Sequence, residues 1–79
     1  MGAKQRKHIR STIIDALHAK YCGQIQEAKA NIELYLSNPA GIGEHPDILE
    51  AIDTLVAKMV EAQEKKDALA WFEYEYGRQ

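Results

Sequence analysis

One stretch decides the fold of this chain: Asn38-Pro39-Ala40-Gly41-Ile42-Gly43-Glu44-His45-Pro46-Asp47. It holds both prolines and two of the five glycines in a sequence of 79 residues. Proline pushes the preceding residue out of helical geometry, and its own backbone suits the first position of a helix. The stretch therefore predicts that one helix ends near Ser37 and that another begins at Pro46.

The residues before the break have helical periodicity. Apolar side chains recur there in steps of three and four, with no proline from about Arg6 to Ser37. Gly23 faces away from this stripe, where a second helix could approach closely. Several stripe positions are eleven residues apart, so we expect a nearly straight helix. The stripe consists of Ile14, Leu17, Tyr21, Ile25, Ala28, Ile32 and Tyr35 or Leu36.

The residues after the break follow the same rule. Leu49, Val56 and Val60 widen the second stripe, and Lys66 falls inside it with its amine extending outward. The stripe itself consists of Ile48, Ile52, Leu55, Met59, Ala62 and Leu69. We therefore predict one all-α domain over residues 1–79, an antiparallel two-helix hairpin. Its parts are a helix over about 6–37, a loop over about 38–46 and a helix over about 46–74.

Charge is distributed unevenly along the chain. Residues 1–29 carry a net charge of +4 and residues 30–79 a net charge of −6, for a total of −2. An antiparallel hairpin with its midpoint at Ile42 places Arg10 near Glu73 and Glu75, and Lys20 opposite Glu64. The fold thus accounts for the asymmetry without a nucleic-acid partner.

The small size of the chain favours self-association. A domain this short buries only a modest part of its surface, and its one cysteine, Cys22, cannot form an internal disulfide. Spare apolar surface usually marks an interface. We expect a homodimer that forms a four-helix bundle, with coiled-coil-like packing. The predicted interface residues are Ile14, Leu17, Tyr21, Ile25, Ile52, Leu55, Val56, Met59, Trp71 and Phe72.

Catalysis finds little support in the sequence. The phosphate-loop and HExxH patterns are absent, and no activated nucleophile is recognisable. His45 with Glu44 or Asp47 could bind a metal, but helix capping explains these residues as well. Cys22 is interpreted as a small core residue. We predict a non-enzymatic protein without metal or cofactor, in which Ile42, Glu44 and His45 are candidate loop contacts beyond simple turn formation.

The basic N-terminus supports an alternative function. Lys4, Arg6, Lys7 and Arg10 could contact phosphates in a nucleic-acid accessory protein. Pairing with the acidic C-terminal end competes with that use, and so does the overall negative charge. The aromatic side chains near the C-terminus suit contact with protein better, or closure of the open end of the hairpin. The longest apolar runs are too short for a membrane span.

The segment 38–48, followed by Glu50-Ala51-Ile52-Asp53, resembles a pattern in small uncharacterised proteins of large contractile-tailed bacteriophages, notably those of marine bacteria. The resemblance covers the loop and the start of the second helix. It implies a phage origin, expression in the cytoplasm of a bacterial host and a possible place in the virion. It supplies no catalytic residues, and it makes a host or viral protein the expected partner.

Overall fold

The computed structural model describes residues 3–37 and 47–77, with side chains for residues 8–37 and 47–73. Helix α1 spans Ala3–Ser37 and helix α2 spans Ile48–Gly77. The described residues contain no strand. The all-helical prediction is therefore confirmed, with α1 beginning three residues earlier and α2 ending three residues later than expected.

The two helix ends next to the break are stabilised locally. Ser37 Oγ donates a hydrogen bond of 2.6 Å to the carbonyl oxygen of Glu33, which partly satisfies the last turn of α1. At the other end, the amide of Ala51 donates to the carbonyl oxygen of Asp47 at 2.8 Å. Asp47 thus occupies the capping position, which aspartate favours, and α2 begins at Ile48 rather than at Pro46.

The helices pack side by side and run antiparallel. Arg10 on α1 reaches the backbone of Phe72 on α2, and Tyr21 on α1 lies beside Lys65 on α2. The first pair lies near the termini of the chain and the second nearer the break, so residue numbers rise on one helix as they fall on the other. The molecule is a rod of 60 × 16 × 16 Å. The hairpin and its approximate register are as predicted.

Between the helices lies a strip of half-buried residues, here called the seam. On α2 it alternates steps of four and three without interruption, and Lys66 lies within it, as the sequence predicted. On α1 the alternation is broken once, between Tyr21 and Ile25, by two successive steps of four. The seam of α2 is Ile48, Ile52, Leu55, Met59, Ala62, Lys66, Leu69 and Glu73; that of α1 is Arg10, Ile14, Leu17, Tyr21, Ile25, Ala28, Ile32 and Tyr35.

The eleven-residue repeat predicted for α1 does not extend to its end. Leu36 would continue it, but its side chain is 61% exposed, and Tyr35 takes the seam position instead. The physical reason is the strict repeat of α2. Because both helices share one seam, α1 returns to seven-residue spacing after Ile25, which turns Tyr35 inward and Leu36 to the side.

Burial is shallow. Among the described side chains, only Ala28 and Ala62 are buried, at 3% and 2% exposure. None of the large apolar side chains in these ranges is fully buried. Alanine lets two helix backbones approach closely but contributes little apolar area. Over its described side chains, the hairpin therefore has a line of contact and no three-dimensional core.

Candidate interaction surfaces

The seam has two long edges with different chemistry. Residues that directly precede a seam position lie on one edge, among them Gln24, Asn31, Lys58 and Lys65. Residues that directly follow a seam position lie on the other edge, among them Leu36, Leu49, Val56 and Val60. The first edge holds a groove whose rim is polar and charged. The second carries four exposed aliphatic side chains. We call them the charged groove and the apolar edge.

The charged groove runs over the middle of the hairpin and has a volume of about 370 Å³. Its lining includes both buried residues, Ala28 and Ala62, together with Leu55. The small alanine side chains explain the depression, because neighbouring positions carry longer side chains. The polar part of the lining is Gln24, Glu27, Asn31, Lys58, Glu61 and Lys65.

Lys65 is the best-connected charge of the groove. Its Nζ lies 3.0 Å from Glu61 Oε1, one helical turn earlier, and 6.0 Å from the ring centroid of Tyr21 on α1. The hydrogen bond and charge of Glu61 raise the pKa of Lys65 above its usual value, and the charge of Tyr21 adds to this. This exposed pair orients the lysine and contributes little to stability.

Leu36, Leu49, Val56 and Val60 form the apolar edge. Leu49, Val56 and Val60 are separated by seven and four residues, which places them on one side of α2. Leu49 is 77% exposed, the highest exposure of the large apolar side chains in the described residues. In the register set by the pairs 10/72 and 21/65, Leu36 lies level with Leu49. The edge is therefore continuous across both helices near the break.

A long-range hydrogen bond links the two helices at the open end of the hairpin. Arg10 Nη2 donates to the carbonyl oxygen of Phe72 at 3.1 Å. This contact confirms that Arg10 lies against the C-terminal part of α2, as the charge distribution predicted. Trp71 and Phe72 project outward, with Trp71 67% exposed. Ile9 and Ile13 on α1 are also exposed, so this end carries a smaller apolar surface of its own.

The sequence places Lys20 opposite Glu64, but among the described side chains no ion pair joins these two residues. Among the side chains described here, the ion pair that forms joins Lys65 to Glu61 within α2. An interaction four residues apart on one helix orders two side chains on a single backbone, whereas a pair across the seam must also bridge the two helices. Lys20 instead lies on the exposed surface of α1.

Cys22 and His18 lie one turn apart on α1, and both are half-buried. The Cys22 Sγ and His18 Nδ1 atoms are 3.7 Å apart, within hydrogen-bonding distance for sulfur. Within the described ranges, no three His, Cys, Asp or Glu side chains come together as a metal site would require. The thiol and imidazole thus satisfy one another beside the seam, in accord with a packing role for Cys22.

The predicted interface residues fall into two groups. Seven of them lie in the seam, where they already pack within the chain: Ile14, Leu17, Tyr21, Ile25, Ile52, Leu55 and Met59. Val56, Trp71 and Phe72 are exposed and free to contact another molecule. Their use in self-association stays a prediction. The sequence stripe identified the contact between the two helices of one chain more directly than any contact between chains.

Other predicted contacts lie outside the described residues or at their margin. The loop residues Ile42, Glu44 and His45 lie outside them. The basic residues Lys4, Arg6 and Lys7 belong to the helical backbone of α1, and their side chains are outside the described set. Their partner in the predicted phosphate-binding group, Arg10, is half-buried and bonded to Phe72.

Sequence reasoning did not identify the charged groove. Its signal is present in α2, where Lys58 and Lys65 are seven residues apart and each precedes a seam position. Ala28 and Ala62 were assigned to the stripes, but their small size gave no indication that they would lie beneath one depression. That feature depends on the register of the two helices, which spacing within either helix does not provide.

Neither helix, over its described residues, holds a stretch that is both long and apolar enough to cross a membrane. Comparison with known proteins found no matching protein-family model, no similar curated protein and no similar solved structure. The geometry of the hairpin is therefore the basis for the functional argument.

Proposed function

We propose that this chain is a small non-enzymatic interaction protein, which self-associates through its helical faces and presents the resulting bundle to a protein partner. Two hairpins packed face to face form a four-helix bundle, the simplest way to bury the apolar side chains that each hairpin leaves exposed. The stable unit is then a homodimer.

One observation carries this proposal: the described side chains include two buried alanines and no fully buried large apolar residue. Apolar burial supplies most of the free energy of folding, and small domains reach adequate stability through extra cross-links or association. Cys22 is the only cysteine of the chain. A second layer of helices supplies the missing burial without disulfide or metal.

The partner follows from the surfaces that a dimer leaves available. A bundle exposes the charged groove and the aromatic residues Trp71 and Phe72, which are of the types enriched at protein interfaces. The resemblance of the segment 38–53 to phage proteins supports a host or viral protein as the partner. It also supports a setting in the host cytoplasm or the virion.

Sedimentation velocity over a concentration series tests self-association. We expect the chain to sediment as a dimer at micromolar concentration, with a mass twice the 8.9 kDa of the monomer. Circular dichroism measured on the same samples reports the helix content. A fully helical monomer across the series would contradict the proposal, because the hairpin would then be stable without a second layer.

A further inference from the structure

We infer that the second copy of the chain docks on the apolar edge, formed by Leu36, Leu49, Val56 and Val60, and leaves the charged groove open to solvent. This inference rests on the proposed self-association and assigns it to one face. The seam residues nearest this edge then become the shared core of the bundle.

The exposed area of the chain matches what a stable dimer needs to cover. The hairpin exposes 6320 Å², whereas a compact monomer of this mass exposes about 4,800 Å². The excess is about 1,500 Å² per chain, inside the range of about 1,000–2,500 Å² that each subunit buries in an obligate homodimer. A small peptide or a point contact would leave most of this area uncovered.

The chemistry of the two edges decides which one is covered. Lys58, Lys65 and Glu27 line the charged groove, and burying them would remove water from each charge, a cost that new partners across the interface would have to offset even though Lys65 is paired with Glu61. The four aliphatic side chains of the apolar edge can be buried without any partner group. In a two-fold dimer the same patch meets itself, and an aliphatic patch is complementary to its own copy.

A matched pair of leucines on α1 provides the test. Leu34 and Leu36 are two residues apart and almost equally exposed, at 59% and 61%, but Leu34 points away from the apolar edge. Leu36→Glu should weaken dimerisation at least about 10-fold, because a symmetric dimer contains every substitution twice. Leu34→Glu carries the same helix-propensity and dipole penalties, and it should change the dimerisation constant less than about 2-fold.

Leu49→Glu is the second variant. Leu49 lies in the first turn of α2, where a negative charge is favourable, so this change leaves the helix intact. It should also weaken dimerisation about 10-fold in sedimentation velocity. Circular dichroism measures helix content in all three variants.

Four outcomes overturn the assignment. Leu36→Glu and Leu49→Glu could both leave the dimer unchanged, or Leu34→Glu could weaken it as much as Leu36→Glu. A dimer dissociated only by Lys58→Glu would place the second copy on the charged groove. In these three cases self-association itself stands. A wild-type chain that stays monomeric refutes the proposed function as well. The apolar edge would then be a binding surface for a different protein.

Discussion

The two edges of the seam flank the same line of contact between the helices, yet near its middle they carry side chains of different chemistry. One edge has a groove above Ala28 and Ala62, rimmed by lysine, glutamate and amide side chains. The other carries Leu49, Val56 and their neighbours with no groove beneath them. The difference shows that the two sides of a two-helix hairpin can present different chemistry to a partner.

This division arises from single positions in the repeat of α2. Residues just before the seam include Lys58 and Lys65, and residues just after it include Leu49 and Val56. A shift of the seam by one residue toward the C-terminus of α2 would bring Leu49 and Val56 into the contact and turn Lys58 and Lys65 away from it. The register of the hairpin therefore determines which surface is apolar, although the composition of the chain stays the same.

The largest effect is expected at Ala62, which lies beneath the charged groove at the contact between the two helices. Ala62→Asp places a carboxylate at a position that is 2% exposed, so unfolding should become easier by about 3 kcal/mol or more. Ala68→Asp at an exposed position of the same helix is the matched control and should cost under about 1 kcal/mol, its helix-propensity penalty. Urea denaturation followed by circular dichroism compares them; equal losses would mean that the helices do not approach at Ala62.

An exchange of residues between the edges should produce the next largest effect. The double variant Val56→Lys with Lys58→Val keeps the composition of α2 but moves the charge to the apolar edge. We expect dimerisation to weaken about 10-fold, equivalent to about 1.4 kcal/mol. Lys58→Val alone should leave dimerisation unchanged in the same sedimentation experiment. Tighter association in the double variant would show that the groove side is the interface.

Gly23 tests the remaining face of α1, where the sequence suggested that a second helix could approach closely. A Cβ atom at this position meets nothing within 4 Å, so alanine fits without a clash. Gly23→Ala should stabilise the protein by about 0.5–1 kcal/mol through helix propensity. Dimerisation should be unaffected. Weaker dimerisation on sedimentation would reveal that the second copy packs against Gly23.

The ion pair of the groove should have the smallest effect. Because the pKa of Lys65 is raised in the folded protein, any contribution of this lysine to stability is present below its unfolded pKa and is lost as the pH rises through the raised folded pKa. Glu61→Gln should therefore leave the thermal melting temperature nearly unchanged at pH 7, as should the control Glu64→Gln. A large decrease confined to Glu61→Gln would mean that the charged groove has a structural role.

Much of the fold could be predicted because it depends on local patterns. The break before Ile48 and the steps of three and four determine two helices, their antiparallel packing and the approximate partner of Arg10. The choice of Tyr35 over Leu36 for the last seam position of α1 could not be read from α1 alone. It depends on the regular repeat of α2, which constrains its neighbour only after the two have packed.

The candidate surfaces were predicted less completely than the helices. Val56 and Leu49 were recognised as widening a stripe, but the sequence does not say whether such residues finish the hairpin or extend beyond it. Their exposure shows that they extend beyond it. The groove above Ala28 and Ala62 forms from both helices at once, and the periodicity of one helix contains no information about it.

Sedimentation velocity of Leu36→Glu beside Leu34→Glu, with the wild-type chain in the same concentration series, tests the central claim most directly. The account predicts a dimer for wild type and Leu34→Glu, and a population shifted toward monomer for Leu36→Glu at equal helix content. Identical sedimentation of the two variants would contradict it, because equal exposure on two different faces would then have equal consequence.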